Sequence, residues 1–445
     1  MIGIKVIFSA IFSLAAILVS NTKTPALIIF IWNLLAIIPL SVTLTEATER
    51  ISKDLGETAG ALLNITVGNL AELIIFITAL LKNRIKVVQS SLLGSILVNL
   101  LFVLGSAIIA GSLSSRDLSY NTDLTHSFVG LLNLTICCIM IPSAFYGIEM
   151  DATSADRMSL EFSRAVSFIL LGIYFLYLLF QFKSHPELFW PTRQPVSKPE
   201  NVIVASTTGR MSADLESQPA RFETPSRDLS QPEMQQLELP TDPQTSPVCI
   251  QPESALPLIQ IEPSQRAERT PRAHNQAPKH NPRCGCEYYT VLANRALSCA
   301  LLIMSTTLIA ICAEYFASSF AVLNEQGILG ESFVGLIIIP IAGNVAENVT
   351  AVVVAAKGQM DLAISVALGS AIQIGLLVSP LLVLVGWALD KPMNLHFDRF
   401  EVVALVGAVL LVNFIVLKGK TNYLEGSILC ACFAAVSVGA FLLPK

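Results

Sequence analysis

Apolar residues collect along the chain into eleven runs that are almost free of charge and are separated by polar stretches. Each run has about the 20 residues that one α-helix needs to cross about 30 Å of hydrocarbon. The runs lie near residues 4–20, 25–44, 59–81, 87–110, 127–147, 160–182, 293–320, 333–356, 361–389, 400–417 and 422–443. The pattern predicts an all-α membrane protein with about eleven transmembrane helices.

One long stretch interrupts this pattern between the sixth and seventh runs. Residues 183–292 hold 16 of the 23 prolines and are otherwise rich in Ser, Gln, Thr and Glu. Such a segment cannot bury enough apolar area to offset the entropy of ordering it, so we predict a disordered Pro-rich linker. Its Thr224-Pro225, Ser246-Pro247 and Thr270-Pro271 pairs either are sites for proline-directed kinases and other regulators or arise by chance.

An internal repeat relates the spans on the two sides of this linker. Shifting the chain by 275 residues places Gly68-Asn69-Leu70-Ala71-Glu72 on Gly343-Asn344-Val345-Ala346-Glu347. The same shift places Gly94-Ser95 on Gly369-Ser370 without a gap. Gly, Asn, Glu and Ser are uncommon in spans rich in Leu, Ile and Val, so these matches at one offset indicate a true repeat.

The repeat predicts how the chain is organised. Four parts follow: an extra N-terminal transmembrane helix (1–24), a first five-helix repeat (25–182), the linker (183–292) and a second five-helix repeat (293–445). Because five is odd, the repeats cross the membrane in opposite directions. Inverted repeats are typical of secondary transporters, whose binding site lies near mid-membrane between the halves.

Two acidic residues, Glu72 and Glu347, lie inside apolar spans. An ionised side chain at the bilayer centre costs about 2.5–3.5 kcal/mol on insertion scales. One such Glu alone is equally well explained as a protonated carboxyl bonded to a neighbouring helix. Two at equivalent positions, each on one helix face with an Asn three residues earlier (Asn69, Asn344), favour a shared site. Pro340 predicts an interruption of the second-copy helix nearby.

Neutral oxygens accompany the acids at helical spacing, on Ser95 and Asn99 in one half and on Ser370 and Gln373 in the other. Interhelical hydrogen bonding is the competing interpretation. Carboxylate, amide and hydroxyl oxygens without His or Cys suit a hard cation such as Ca²⁺. One divalent cation or two protons neutralise the acid pair equally well, so we predict that Ca²⁺ and H⁺ occupy the site in turn, with no resident cofactor.

Three other acids are candidates for the access path to this site, namely Glu314, Glu49 and Asp361. Glu314 is flanked by apolar sequence, whereas a solvated helix end is the alternative for the other two.

The amino-acid composition limits the partners that the chain can bind. Only 14% of the residues are charged and the net charge is -5, so the chain offers no basic surface for nucleic acid and its main partner is the lipid bilayer. Most of the nine cysteines lie in or beside apolar runs, which does not resemble a disulfide framework.

The repeated motifs carry a family resemblance. Residues 62–74 and 333–350 resemble the two α-repeat motifs of cation/proton exchangers in the Ca²⁺/cation antiporter superfamily, in particular the fungal vacuolar Ca²⁺/H⁺ exchangers. The resemblance continues through 88–97 and 360–374, and covers almost everything outside the linker. It differs at Asn348, where the family usually has His.

The resemblance implies an eleven-helix fold and an integral protein of the vacuolar membrane or another acidic endomembrane, which loads Ca²⁺ into the lumen in exchange for H⁺. It implies that Glu72 and Glu347 are the ion-binding carboxylates. It also implies that the ion route is lined by Asn69, Asn344, Gln89, Ser95, Asn99, Ser370 and Gln373. Gln89 is included only because of the resemblance.

Other functions remain as alternatives to a Ca²⁺/H⁺ antiporter. Within transport, they are an exchanger driven by Na⁺ or one that prefers Mn²⁺. Two inverted halves around one acid pair favour alternating access over a gated cation channel. No Gly-x-Gly-Asp segment or Ser/His pairing supports an intramembrane hydrolase, so we predict a transporter and not an enzyme.

Overall fold

The computed structural model describes residues 2–144, 152–189 and 284–443. Along the first half of the described chain the helices are α1 (Ile2–Ser20), α2 (Ala26–Leu55), α3 (Glu57–Val67), α4 (Leu70–Leu81), α5 (Ile85–Leu97), α6 (Leu104–Ser112), α7 (Thr122–Ala144), α8 (Ala152–Leu179) and α9 (Pro186–Phe189). A π-helical turn, π1 (Val98–Val103), joins α5 to α6, and a second, π2 (Phe180–Ser184), ends α8.

The second half repeats this order. Its helices are α10 (Cys284–Glu325), α11 (Glu331–Phe333), α12 (Ile339–Gly343), α13 (Val345–Ala356), α14 (Met360–Gln373), α15 (Ser379–Ala388), α16 (Arg399–Val416) and α17 (Tyr423–Leu442). Two π-helical turns, π3 (Val334–Ile338) and π4 (Ile374–Val378), join α11 to α12 and α14 to α15. Short strands β1 (Leu118–Ser119) and β2 (Lys420–Thr421) pair antiparallel between the halves.

The predicted all-α membrane fold is confirmed. Eight described helical segments are long and apolar enough to cross a bilayer, or nine if α11 to α13, bent by 54° at one break, count as one span. Two shorter apolar helices, residues 5–20 of α1 and the whole of α4, lie where the first and third runs predict spans. The count of eleven stays a prediction.

The limits predicted for the linker, 183–292, were too wide. Helical structure continues through α9 to Phe189, whose ring packs 5.7 Å from that of Phe128 and therefore holds this end against α7. At the other end α10 begins at Cys284, because no proline follows Pro282 to stop it. Residues 190–283, and the three Ser/Thr-Pro pairs, lie outside the described residues.

The centre of the bundle is formed by one helix pair from each half. The segments Ile85–Ser112 and Met360–Ala388 have the largest buried shares of the described spans, 83% and 72% of their most apolar windows. Both are buried on most sides, as expected for helices surrounded by other helices. The peripheral helices instead expose large apolar side chains such as Phe175, Ile303 and Phe414, as lipid-facing helices do.

Both copies of the repeated motif interrupt a helix at the asparagine. α3 gives way to α4 at Asn69, and α12 to α13 at Asn344. The second interruption falls four residues beyond Pro340, where the backbone N–H and the side-chain amide of Asn344 both donate to the Pro340 carbonyl. The first copy breaks at the same place without a proline. The motif itself therefore sets the break.

Candidate ion-binding site

The two motif carboxylates begin the helices that follow the breaks. Glu72 lies in the first turn of α4 and Glu347 in the first turn of α13, where the helix dipole favours negative charge. Glu72 is 1% exposed, and its side chain lies against Gly343, four residues before Glu347. A Cβ on Gly343 would lie 2.9 Å from Glu72 Cγ, so only glycine at this position lets the two halves approach so closely.

A chain of hydrogen bonds joins the predicted neutral ligands across the halves. Asn69 Nδ2 donates to Gln373 Oε1 (2.9 Å), and Ser370 Oγ donates to Asn69 Oδ1 (3.0 Å). Asn99 Nδ2 donates to Ser370 Oγ (3.2 Å) and to Asn344 Oδ1 (2.6 Å). Every bond in this chain links a residue of one repeat to a residue of the other. The structure thus brings five of the predicted site residues into one network.

The buried polar side-chain atoms of the site residues that have no hydrogen-bond partner in the described structure are all oxygens. Both carboxylate oxygens of Glu72, Oε2 of Glu347, Oδ1 of Asn99 and Oγ of Ser95 are buried and accept no hydrogen bond within the described residues. Burying polar atoms without partners costs free energy, so such a cluster calls for a ligand. Carboxylate, amide and hydroxyl oxygens are the donor set that Ca²⁺ takes.

A cavity of about 1190 Å³ reaches this cluster at Glu347, whereas Glu72, Ser95 and Asn99 lie outside its lining. Its inner wall contains Asn69, Glu347, Ser370 and Gln373. Its outer part is lined by Glu49, whose carboxylate lies 3.8 Å from Lys53, and by Asp361, whose Oδ1 accepts from the backbone N–H of Asn121 (2.6 Å). The predicted access-path acids Glu49 and Asp361 therefore lie in the cavity wall.

Two predicted residues lie elsewhere. Glu314 is not in the cavity lining; its side chain is 62% exposed on α10 and pairs with Lys82 at the end of α4 (3.0 Å). Gln89 is six residues before Ser95 on α5, and its amide nitrogen donates to the side chain (2.6 Å) and backbone carbonyl of Asn394. These bonds hold the loop that contains Asn394 against α5, and Gln89 is not part of the oxygen cluster.

On the other side of the cluster, glycines close the bundle. A Cβ on Gly94 would lie 2.3 Å from the Leu336 carbonyl oxygen, and one on Gly335 would lie 2.6 Å from Ser90 Cβ. We call this contact between α5 and π3 the glycine seam. The repeat equivalent of Gly94 is Gly369, where a Cβ would meet no described atom within 4 Å, and both Gly369 and Gly60 line the cavity.

The seam was not foreseen from the sequence. The signal was present, since Gly94 matches Gly369 and Gly60 matches Gly335 at the repeat offset. Sequence alone does not say which of two equivalent contacts is closed.

Comparison with known proteins agrees with this geometry. A family model described as sodium/calcium exchanger protein matches residues 25–183 and 297–442. The vacuolar calcium ion transporter of Schizosaccharomyces pombe is 33% identical over 417 residues, covering 94% of this chain and 80% of that protein. The Ca²⁺/H⁺ antiporter of Synechocystis is 32% identical, with coverages of 94% and 91%. The solved structure of native YfkE superposes with a TM-score of 0.67 at 25% identity, covering 99% and 100% of the two chains.

Proposed function

Because this chain belongs to the sodium/calcium exchanger protein family, we propose that it is a secondary active antiporter that exchanges Ca²⁺ for H⁺ by alternating access. The observation that carries the proposal is the cluster of unpartnered buried oxygens around Glu72 and Glu347, next to a cavity that Glu347 lines. The names of the S. pombe and Synechocystis relatives support Ca²⁺ as cargo and, for the latter, H⁺ as counter-ion.

Charge balance gives the mechanism of coupling. Two carboxylates are neutralised by one Ca²⁺ or by two protons, and a neutral site crosses a low-dielectric barrier at the lowest cost. Ca²⁺ binds the deprotonated pair, so protons compete with it for the same oxygens. Lys82 and Lys357 lie ten residues beyond their Glu, about 15 Å along a helix, and cannot serve as the counter-charge.

The difference between the repeat-equivalent glycine contacts gives the conformational step. The seam at Gly94 and Gly335 is shut, whereas a Cβ on Gly369, the equivalent of Gly94, would meet no described atom within 4 Å. Gly60, the equivalent of Gly335, lines the cavity and packs against the Ser52 backbone of its own repeat instead of against Gly369. If the first repeat closes on Gly369 while the contact at Gly94 opens, the cavity closes and the opposite side of the bundle opens. The same kind of backbone contact then forms in one repeat as it breaks in the other. Such a swap between inverted repeats exposes one fixed site to each side alternately.

The direction of transport follows from the placement of the amino terminus. If it is cytosolic, the cavity faces the cytosol and the seam faces the lumen of an acidic compartment. We propose the vacuolar membrane, as in the S. pombe relative. The proton gradient then drives Ca²⁺ from the cytosol into the lumen.

Transport by the purified protein in lipid vesicles tests this function. An inside-acid pH gradient imposed without Na⁺ should drive uptake of radioactive Ca²⁺, and a pH-sensitive dye should report protons leaving. Apparent Ca²⁺ affinity should weaken as the pH of the binding side falls from about 8 to about 5.5, because protonated carboxylates do not bind the cation. Uptake that requires Na⁺ and moves no protons, or a preference for Mn²⁺ in competition, would favour the alternative exchangers.

A further inference from the structure

A third buried acid lies outside the site described above. Glu401, at the third position of α16, is 1% exposed. Its Oε1 accepts from Ser90 Oγ on α5 (2.5 Å), and its Oε2 accepts from the backbone N–H of Asp398 (3.3 Å). The second bond is an ordinary helix cap, but the first ties the acid to a different helix of the other repeat.

Ser90 places this acid directly behind the glycine seam. The seam residue Gly335 packs against Ser90, with Ser90 Cβ 2.6 Å from where a Cβ would stand. When the seam opens, Gly335 moves away from Ser90, and the Ser90 side chain becomes accessible from that side. Glu401 then lies one hydrogen bond from the newly opened surface.

The repeat shows what that surface becomes. Asn121 caps α7 by accepting from the N–H groups of Asp123 and Leu124, as Asp398 caps α16. Aligned on these caps, Leu124 is the counterpart of Glu401, while Ser365 is the counterpart of Ser90 at the repeat offset. Leu124 and Ser365 both line the open cavity. In the opposite conformation Ser90 and Glu401 therefore line the passage on the other side, with a carboxyl where the first repeat has leucine.

Two further hydroxyls lie on α5 between the level of Ser90 and the ion-binding cluster. Ser91 and Ser95 are one helical turn apart on α5, and the hydroxyl oxygens of both are buried and unpartnered in the described residues. From Ser90 to Ser95 the distance along the helix axis is about 7.5 Å.

The charges around Glu401 favour a proton over a divalent cation as its ligand. The charged groups that act on it are Asp398, on its own helix cap, and Lys86, at the start of α5. The positive charge of Lys86 disfavours Ca²⁺. Asp398 is engaged in the cap. His396 lies on the same loop, and burial holds its pKa below the ordinary value, against the opposing effect of Asp398 and Asp156.

We propose that Glu401 is a proton-binding residue of the exchange, loaded from the side opposite the cavity when the seam is open. Its carboxylate takes up one H⁺ from that side and releases it toward the Glu72–Glu347 pair as Ca²⁺ leaves, returning to the charged form. No other reactant is required. This role rests on the proposed Ca²⁺/H⁺ exchange.

The test separates the pH of the two sides. In intact vacuoles of a yeast strain that lacks its own vacuolar exchangers, initial Ca²⁺ uptake is measured at a fixed outside pH while the lumenal pH is clamped between about 5 and 7. Uptake by the wild type that increases as the lumen is acidified establishes the proposed function independently. Without it the proposed function fails, and Glu401 has no exchange to serve.

Given that wild-type response, Glu401→Gln should reduce the dependence on lumenal pH at least about fivefold, while the KM for outside Ca²⁺ stays within about twofold of wild type. The matched control is Glu425→Gln, at the third position of α17 and paired with Lys418 far from the seam, which should keep the full response. A purely structural role for Glu401 lowers uptake by the same factor at every lumenal pH, and that result would overturn the proposal.

A second variant decides the matter if Glu401→Gln does not reach the membrane. Ser90→Ala keeps the acid but removes the hydroxyl that stabilises its charged form. The midpoint of the lumenal pH dependence should then move to higher pH by about half a unit or more. An unchanged midpoint in this variant contradicts proton binding at Glu401.

Discussion

At the scale of single residues, Asn69 and Asn344 do two things at once. Each ends one helix and starts the next, and each places its side chain in the hydrogen-bond chain that joins the halves. The carboxylates three residues later are thereby fixed on one face and next to one another. Because Gly343 touches Glu72, the pair cannot separate without breaking the interface between the repeats.

Removing either charge of the pair tests whether the two acids form one site. Glu72→Gln and Glu347→Gln should each lower Ca²⁺ uptake at least about 100-fold, and the double variant should be no worse, since residues that act as a unit are not additive. The control is Glu314→Gln, which removes an acid that pairs with Lys82 outside the cavity and should transport normally. Substantial uptake by either single variant would contradict a shared site.

At the scale of elements, the glycine seam and its open counterpart predict opposite effects of equivalent substitutions. A Cβ at Gly369 fits the conformation described here but would strike the backbone of the α3 segment if that helix closed as π3 has closed on Gly94. A Cβ at Gly94 instead disrupts the shut seam. Both changes should slow turnover about tenfold or more, one by retaining the cavity-open form and the other by destabilising it.

Accessibility distinguishes these two causes. A cysteine introduced at Ser365, in the cavity wall, should react faster with a water-soluble thiol reagent in the Gly369→Ala background and more slowly in the Gly94→Ala background. Gly407→Ala is the control, because this glycine on α16 has no described atom within 4 Å of a Cβ and alanine favours a helix by about 1 kcal/mol. Equal labelling in all backgrounds would show that the seam does not govern access.

The same elements show how much of the site could be predicted from the sequence. The acid pair, Asn69, Asn344, Asn99, Ser370 and Gln373 were predicted from rare polar residues in apolar spans, and the structure brings them together. Glu314 was misplaced because periodicity alone does not say which face of a long helix meets lipid. Gln89, taken from resemblance, faces Asn394 because a loop distant in sequence folds over α5. Long-range packing of this kind leaves no local pattern.

At the scale of the whole molecule, the described halves form one unit although 94 residues, 190–283, separate α9 from α10. Deleting roughly residues 200–280 should leave folding and basal exchange intact, since a Pro-rich segment of this composition contributes no core. The remaining chain can still join the helices at modest entropic cost. The measurement is Ca²⁺ uptake per inserted molecule, compared with the full chain; an inserted but inactive truncation would reveal a mechanistic role for the segment.

The polar groups at the interface between the halves also determine whether an anion can enter the site together with Ca²⁺. The amide nitrogens of Asn69, Asn99 and Asn344 all donate to protein acceptors, and among these three amides the atom left without a partner in the described residues is an oxygen, Asn99 Oδ1. An anion such as chloride would be repelled by the two carboxylates of this site. A Ca²⁺ ion therefore enters the site without an accompanying anion, and its charge has to be balanced by what leaves. Any imbalance between Ca²⁺ and protons becomes an electrical current across the membrane.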